Sequence, residues 1–162
     1  MGTLIQKTSR CAVIGHGSWD TAITRVLITN EASVCWYVRN QEVLESLRTE
    51  GHNCRYLPDI EFDMSRVHLT NDVNETVEQA DIIFLVTPAP YLKCYLSDLK
   101  VPLKDKMVVS AIKGIIPKEN LFVTDYLKQN YGLTGDQLCC ISGPTHAEEV
   151  SHGRLTYMTF KL

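Results

Sequence analysis

The residues most able to do chemistry begin with a glycine-rich turn. Residues 15–20 read Gly-His-Gly-Ser-Trp-Asp, and they join an apolar run at 11–15 to a stretch with helical spacing. Gly15 permits a tight turn, Gly17 lets a ligand approach the backbone, and the helix that follows directs free N–H groups and its positive end at that ligand. This combination predicts a turn that binds the pyrophosphate of a dinucleotide cofactor. A turn that only connects a strand to a helix is the structural alternative.

The last residue of that turn departs from the dinucleotide-binding pattern. Asp20 stands where the pattern has its third Gly or Ala. A carboxylate in the first turn of a helix suits the helix dipole, but it also competes with an incoming pyrophosphate and repels it. We therefore expect Asp20 to weaken nucleotide binding.

Two basic residues follow predicted strands and are candidate ligand contacts. Arg39 follows the second apolar run, about twenty residues beyond the glycines, where a site specific for NAD would carry an acid. Because a guanidinium suits a 2′-phosphate or stacks on adenine, Arg39 favours NADPH over NADH. Lys113 follows the run at 107–112, and an ammonium there can contact substrate oxygen or phosphate near a nicotinamide. Each is also explained as a solvated residue at the end of a strand.

The elements that would position these residues alternate along the chain. Residues 18–29 and 41–50 carry apolar side chains at helical spacing. Strands and helices alternating in steps of this length predict a doubly wound, mainly parallel α/β sheet of Rossmann type with helices on both faces. Buried strands are predicted from five apolar runs, at 11–15, 34–38, 81–87, 107–112 and 138–142.

The remaining chain completes this pattern as one domain over residues 1–162. We predict a short strand at 66–69, helices at 71–79, 89–99 and 119–131, and a last apolar strand within 154–162. Because that apolar strand adjoins the terminus with no polar tail, we expect the chain to be truncated from a longer protein.

Composition and charge limit the function classes. A net charge of −3 gives no overall attraction for nucleic acid, and no apolar run is long enough to insert into a membrane. Residues 1–10 lack the apolar segment of a signal peptide, so we expect a cytoplasmic protein. The six cysteines lack metal-ligand spacing, which indicates buried thiols rather than a metal site.

Five motifs, in order, carry a family resemblance over nearly the whole chain. The turn resembles G-x-G-S-W-G-T-A apart from Asp20, and residues 53–58 match N-x-x-Y-L-P. Within that loop, Tyr56, Leu57 and Pro58 are expected to be mainly structural, packing into the core rather than contacting a ligand. Downstream lie V-T-P-A-P at 86–90, S-A-I-K-G-I at 110–115 and S-G-P-T-H-A-E-E-V at 142–150. Together they resemble the cofactor-binding N-terminal domain of NAD(P)-dependent glycerol-3-phosphate dehydrogenases.

The resemblance implies an oxidoreductase that interconverts dihydroxyacetone phosphate and sn-glycerol 3-phosphate for phospholipid synthesis. It implies cofactor contacts at Ser18, Trp19, Lys113 and Ala147, and substrate contacts at Lys113, Gly143 and Thr145. The family's general acid is a lysine of a helical second domain, which is expected beyond residue 162. This chain alone is therefore expected to bind nucleotide without turnover, and a homodimer is compatible with the complete protein.

Two other functions stay open at this point. A dehydrogenase for a hydroxy acid or sugar nucleotide would share the first domain, although it has no reason to carry both the N-x-x-Y-L-P and S-G-P-T-x-A-x-E-V strings. A non-enzymatic nucleotide-sensing domain is favoured by Asp20, whereas Lys113 at the ligand-binding edge counts against it.

Overall fold

The computed structural model describes residues 9–30 and 32–162, and within them seven strands form one sheet in the order β3-β2-β1-β4-β5-β8-β9. All neighbouring pairs are parallel except β8 and β9, which are antiparallel. The predicted doubly wound, mainly parallel sheet is therefore confirmed. The strands are β1 Cys11–Ile14, β2 Val34–Tyr37, β3 Val67–Thr70, β4 Ile82–Leu85, β5 Met107–Ser110, β8 Leu138–Ser142 and β9 Thr159–Lys161.

The sheet is buried on both faces. Every residue of β1, β2 and β4 is buried, which explains why these strands appear in the sequence as continuous apolar runs. Alternate side chains of each strand enter separate apolar cores on opposite faces, with Val13 and Trp36 in one and Ile14 and Tyr37 in the other. The chain winds outward from β1 in one direction to β3 and in the other to β5. The carboxyl end of β1 is therefore a topological switch point, where open α/β sheets bind ligands.

Two predicted helices form with the predicted bounds. They are α1 Ser18–Thr29 and α2 Gln41–Glu50. The side chain of Asn40 accepts a hydrogen bond from the backbone N–H of Val43 at 3.0 Å and so caps the start of α2. Other helices are α3 Val73–Glu78, α4 Leu92–Tyr95, α5 Val123–Tyr131 and α6 Ala147–Ser151.

The three other predicted helices are shorter than expected. The helix predicted at 71–79 forms only as α3 Val73–Glu78. The segment at 89–99 contains a 3-10 turn at Ala89–Tyr91 followed by the single-turn helix α4. The helix predicted at 119–131 begins only at Val123, because Ile115–Ile116 (β6) pairs with Leu121–Phe122 (β7) in a small antiparallel hairpin. Local apolar spacing does not reveal this hairpin.

The last predicted strand is also shorter than expected. Only Thr159–Lys161 pairs with β8, and Leu155, Tyr157 and Phe160 are exposed rather than buried. Among the described residues, no helix combines the length and apolar character needed to cross a membrane. The signal-peptide prediction concerns residues 1–10, of which 1–8 lie outside the described part.

Candidate functional site

The glycine turn is held against the sheet by backbone contacts. Gly15 has a φ of +146° and donates its N–H to the Tyr37 carbonyl oxygen at 3.3 Å. The indole N–H of the fully buried Trp36 donates to the Gly15 carbonyl oxygen at 2.7 Å. These contacts fix the path of the turn at the end of β1, and Gly17 then caps α1.

Asp20 points back into the turn. Its Oδ2 accepts a hydrogen bond from the backbone N–H of Gly17 at 2.6 Å, the return contact of a helix capping box. The side chain is 1% exposed, and burial raises the pKa of the Asp20 carboxyl well above its ordinary range. A Cβ placed on Gly15 would lie 2.4 Å from the same oxygen. Asp20 was predicted to lie close to the phosphate-binding position. In the structure it accepts a hydrogen bond from the Gly17 N–H, the backbone donor that we expect a phosphate to use.

Side chains of Thr21 and Asn53 also hold the turn in place by hydrogen bonds. The Thr21 hydroxyl donates to the Gly17 carbonyl oxygen at 2.6 Å. The amide of Asn53, which is fully buried, donates to the Thr21 hydroxyl at 2.9 Å and to the His16 carbonyl oxygen at 3.2 Å. No individual role was predicted for Asn53, although it is the first residue of the N-x-x-Y-L-P match.

Aromatic and basic groups meet at the end of β2. The Tyr95 hydroxyl and His16 Nδ1 are 2.7 Å apart, and the Arg39 guanidinium lies 5.9 Å from the centre of the Tyr95 ring. Burial and the nearby arginines lower the pKa of His16, while burial raises the pKa of Tyr95. Arg39 itself is exposed and contacts the Cys94 thiol. The predicted location of Arg39 at this edge agrees with the structure, but His16 and Tyr95 were not identified from the sequence.

A cavity of about 590 Å³ extends from the glycine turn across the carboxyl ends of the strands. Its lining includes His16, Gly17, Asp20 and Lys113. The buried hydroxyl oxygen of Thr87, at the end of β4, has no hydrogen-bond partner among the described residues and belongs to the same lining. A separate depression of about 550 Å³ at the amino ends of β4 and β5 contains none of the predicted site residues.

An adjoining cavity of about 330 Å³ brings most of the remaining predicted contacts together. Helix α1 packs against α6, so residues that are 130 positions apart in the sequence share one wall. The residues that line it and were predicted from the sequence are Ser18, Trp19, Lys113, Thr145 and Ala147. Lys113 is exposed and Thr145 is half-buried. The structure brings these residues together, while their binding roles stay predictions.

Gly143 has a structural reason to be glycine. Its φ is +145°, and a Cβ there would lie 2.6 Å from the Tyr157 carbonyl oxygen. This close approach of two backbone segments accounts for Gly143 without a ligand. Its predicted substrate contact stays a prediction.

The loop that contains Tyr56, Leu57 and Pro58 packs differently from the expectation. Only Leu57 is buried, and Tyr56 and Pro58 are exposed. Tyr56 is 41% exposed and lines the cavity of about 590 Å³. Within residues 9–30 and 32–162, no group of three His, Cys, Asp or Glu side chains is arranged to hold a metal ion.

The family model described as the N-terminus of NAD-dependent glycerol-3-phosphate dehydrogenase matches residues 10–162. The chain belongs to this family. The resemblance drawn from the five motifs is confirmed. Sequence relatives agree with the family, and a solved structure agrees with the fold.

The relatives are named glycerol-3-phosphate dehydrogenase [NAD(P)+]. That of Exiguobacterium is 33% identical over 91% of this chain and 44% of its own length. That of Halothermothrix orenii is 31% identical over 90% of this chain and 42% of its own length. The crystal structure of glycerol-3-phosphate dehydrogenase from Coxiella burnetii superposes with a TM-score of 0.83 at 23% identity, covering 95% of this chain and 46% of that one. The chain therefore spans under half the length of the relatives it matches.

The residues present fit a dinucleotide at two places and oppose it at a third. Arg39 and the Tyr95 ring suit an adenosine end. The Thr87 hydroxyl, which has no partner among the described residues, belongs to the cavity that Lys113 also lines and suits a polar group of the other end. At the turn between them, the Gly17 N–H already donates to Asp20. An ionised Asp20 does not fit a pyrophosphate at this amide.

Proposed function

We propose that this chain is the dinucleotide-binding part of a glycerol-3-phosphate dehydrogenase that interconverts dihydroxyacetone phosphate and sn-glycerol 3-phosphate. The observation that carries the proposal is the shared wall formed by α1, the segment after β5 and α6. It gathers Ser18, Trp19, Lys113, Thr145 and Ala147 at the carboxyl edge of a sheet whose family is known. We take a nicotinamide cofactor to supply the hydride when it is bound.

In this proposal Lys113 is the positively charged residue that contacts the substrate. Its ammonium is exposed at the cavity shared with Thr145, where it can bind a phosphate or stabilise charge on the carbonyl oxygen. The Thr145 hydroxyl and the turn at Gly143 are the proposed companions. In this proposal the proton donor to the carbonyl oxygen is the lysine that the family resemblance implies in a helical second domain.

Arg39 is the proposed determinant of cofactor preference. Because it is exposed beside the Tyr95 ring, it can pair with a 2′-phosphate while the ring supports the adenosine. This arrangement favours NADPH over NADH. We place the protein in the cytoplasm, supplying sn-glycerol 3-phosphate to phospholipid synthesis, and we retain the homodimer as a prediction for the complete protein. All six cysteines are free thiols, which suits a reducing compartment.

Calorimetric titration of the chain with NADPH and NADH tests the cofactor assignment. We expect NADPH to bind more tightly by about ten- to a hundredfold, since a charged hydrogen bond contributes about 1.5–3 kcal/mol. Arg39→Ala should remove most of that difference. Arg48→Ala, which removes another exposed arginine from the last turn of α2, should preserve it. Equal affinities for the two nucleotides in the unchanged chain would reject the role of Arg39.

A further inference from the structure

The anion-binding amide of the turn is occupied by the protein itself. Gly17 N–H, at the start of α1, is the donor that an incoming phosphate oxygen would use, and it donates to Asp20 Oδ2 at 2.6 Å. Asp20 is 1% exposed, and its Oδ2 fills the space next to Gly15. The carboxyl group thus holds the position that the fold otherwise offers to a phosphate.

The protonation state of Asp20 decides how strongly it opposes a phosphate. An ionised carboxylate and a pyrophosphate repel each other, and burial away from water leaves that repulsion poorly screened. The neutral acid carries no net charge and its oxygen is a weaker competitor for the Gly17 N–H. A nucleotide that approaches this turn therefore binds better to the protonated form, and its negative charge further favours that form.

Other titratable groups surround Asp20 and must be separated from it. His16 lies in the same turn and Tyr95 faces it from α4, while Tyr56 and Lys113 line the same cavity from other segments. The lowered pKa of His16 keeps its imidazole neutral at neutral pH, and the raised pKa of Tyr95 keeps it a phenol. Loss of a proton from any of these groups would weaken phosphate binding as pH rises, and His16 is the one whose residue type ordinarily titrates within about pH 5 to 8.5. His16 is therefore the group that the experiment must separate from Asp20.

We propose that Asp20 is an intramolecular competitor of the dinucleotide phosphate, so that nucleotide binding by this chain is coupled to uptake of one proton by the Asp20 carboxyl group. The proposal rests on the proposed function, because it needs a dinucleotide at this turn. It makes Asp20 the residue that sets the affinity of the turn.

The first test is the dissociation constant of NADH over about pH 5 to 8.5. NADH is chosen because it lacks the 2′-phosphate, which titrates near pH 6. Affinity of the unchanged chain should fall with rising pH, by up to about tenfold per pH unit when one proton is taken up. Asp20→Asn keeps the shape but cannot ionise, so it should hold the low-pH affinity throughout. Asp125→Asn removes the corresponding carboxylate from the first turn of α5 and should behave like the unchanged chain.

Four outcomes of this titration are distinct. A pH-dependent affinity that Asp20→Asn flattens supports the proposal. A dependence that survives in Asp20→Asn assigns the proton to His16 and overturns it, as does equal, pH-independent affinity in both proteins. If the folded Asp20→Gly protein, which lacks the whole side chain, fails to bind either NADH or NADPH at any pH, the proposed function itself is wrong.

Proton counting on the unchanged chain avoids dependence on any variant. Binding heats for NADH are measured near neutral pH in two buffers with different ionisation enthalpies. Uptake approaching one proton per NADH is expected when the pH lies between the pKa values of Asp20 in the free and bound chain. A carboxyl carbon signal of Asp20 that moves toward the protonated shift on adding NADH identifies the site. No uptake at any pH across the range would overturn the proposal.

Discussion

The glycine-turn side of the cleft and the side formed by β5 and α6 differ in how their polar groups are satisfied. Around the glycine turn, Asp20, Thr21 and Asn53 are buried and bonded to one another or to the backbone. On the side of β5 and α6, Lys113 and Glu148 are exposed and line an open wall. The first half is preorganised by internal contacts, whereas the second presents groups that a ligand would engage. Substitution of the buried, internally bonded side chains of the first half should therefore change stability as well as binding, whereas substitution of the exposed side chains of the second half should change binding with little effect on stability.

Lys113 gives the largest expected effect and tests the open half. In an active dehydrogenase that contains this chain, Lys113→Met should lower dihydroxyacetone phosphate reduction by about a hundred- to a thousandfold, because one donor to the reacting oxygen or phosphate is lost. The melting temperature should stay unchanged, since the side chain is exposed. Lys128→Met on α5 is the control for loss of a surface lysine. A rate near that of the parent would make Lys113 a solvated residue, and a large fall in melting temperature would make its role structural.

Gly15 on the glycine-turn side and Gly143 on the side of α6 have nearly the same φ, so matched substitutions at these positions compare the two sides directly. Gly15→Ala and Gly143→Ala should each lower the free energy of unfolding by about 2–5 kcal/mol, from backbone strain and overpacking together. The near neighbour of Gly15 is the Asp20 side chain, so adding Asp20→Gly should recover part of the loss. The near neighbour of Gly143 is the Tyr157 backbone, which no side-chain deletion removes.

Chemical denaturation of these proteins measures the difference. Gly114→Ala is the control for strain alone, because its φ is +98° and a Cβ there meets nothing within 4 Å. It should cost less than either of the other substitutions. Equal losses at Gly15 with and without Asp20 would mean that the Asp20 oxygen does not restrict the turn.

Asp20 should also make stability depend on pH. Its folded pKa lies above its unfolded value, so the folded state holds a proton that the unfolded state releases once the pH passes about 4. Stability therefore falls as pH rises from there to the folded pKa. Asp20→Asn should melt higher than the parent at neutral pH, and the difference should vanish at low pH. Asp125→Asn, at a partly exposed position in the first turn of α5, should instead lower stability slightly, because it removes a favourable interaction with the helix dipole. A stability change of the same sign in both variants would contradict the comparison.

The smallest effect concerns an exposed ion pair in the open half. His152, just after α6, lies 2.7 Å from Asp59, and its bond to the Glu148 carbonyl oxygen and that carboxylate raise the pKa of His152. The stabilisation is present below the ordinary pKa of histidine and is lost as pH rises through the folded value. Asp59→Asn should lower the pKa of His152, measured by NMR titration, with almost no change in melting temperature. An unchanged pKa would mean that the pair does not persist in solution.

The sequence predicted the strands and long helices well because their signals are local. Continuous apolar runs marked β1, β2 and β4, and the spacing of α1 and α2 gave their bounds. It failed where pairing between segments overrides spacing, as in the hairpin of β6 and β7. It also missed Tyr95, because nothing in the sequence near that residue indicates that it meets His16, 79 positions away.

By itself, the sequence determined the fold class, the family and the identity of the residues at the sheet edge, because strand period and motif order are properties of the chain. Only the tertiary structure decided that Asp20 is buried, is bonded to the Gly17 N–H and has a raised pKa. A carboxylate in the first turn of a helix is favourable where it keeps contact with water, as the partly exposed Asp125 does in α5. Packing of the β1–α1 turn against β2 and the Asn53 loop removes Asp20 from water and leaves the Gly17 N–H as its main partner. The burial of the Asp20 side chain and its orientation toward Gly17 both depend on contacts that are distant in sequence. They make this helix-capping residue a competitor of a phosphate for the Gly17 N–H.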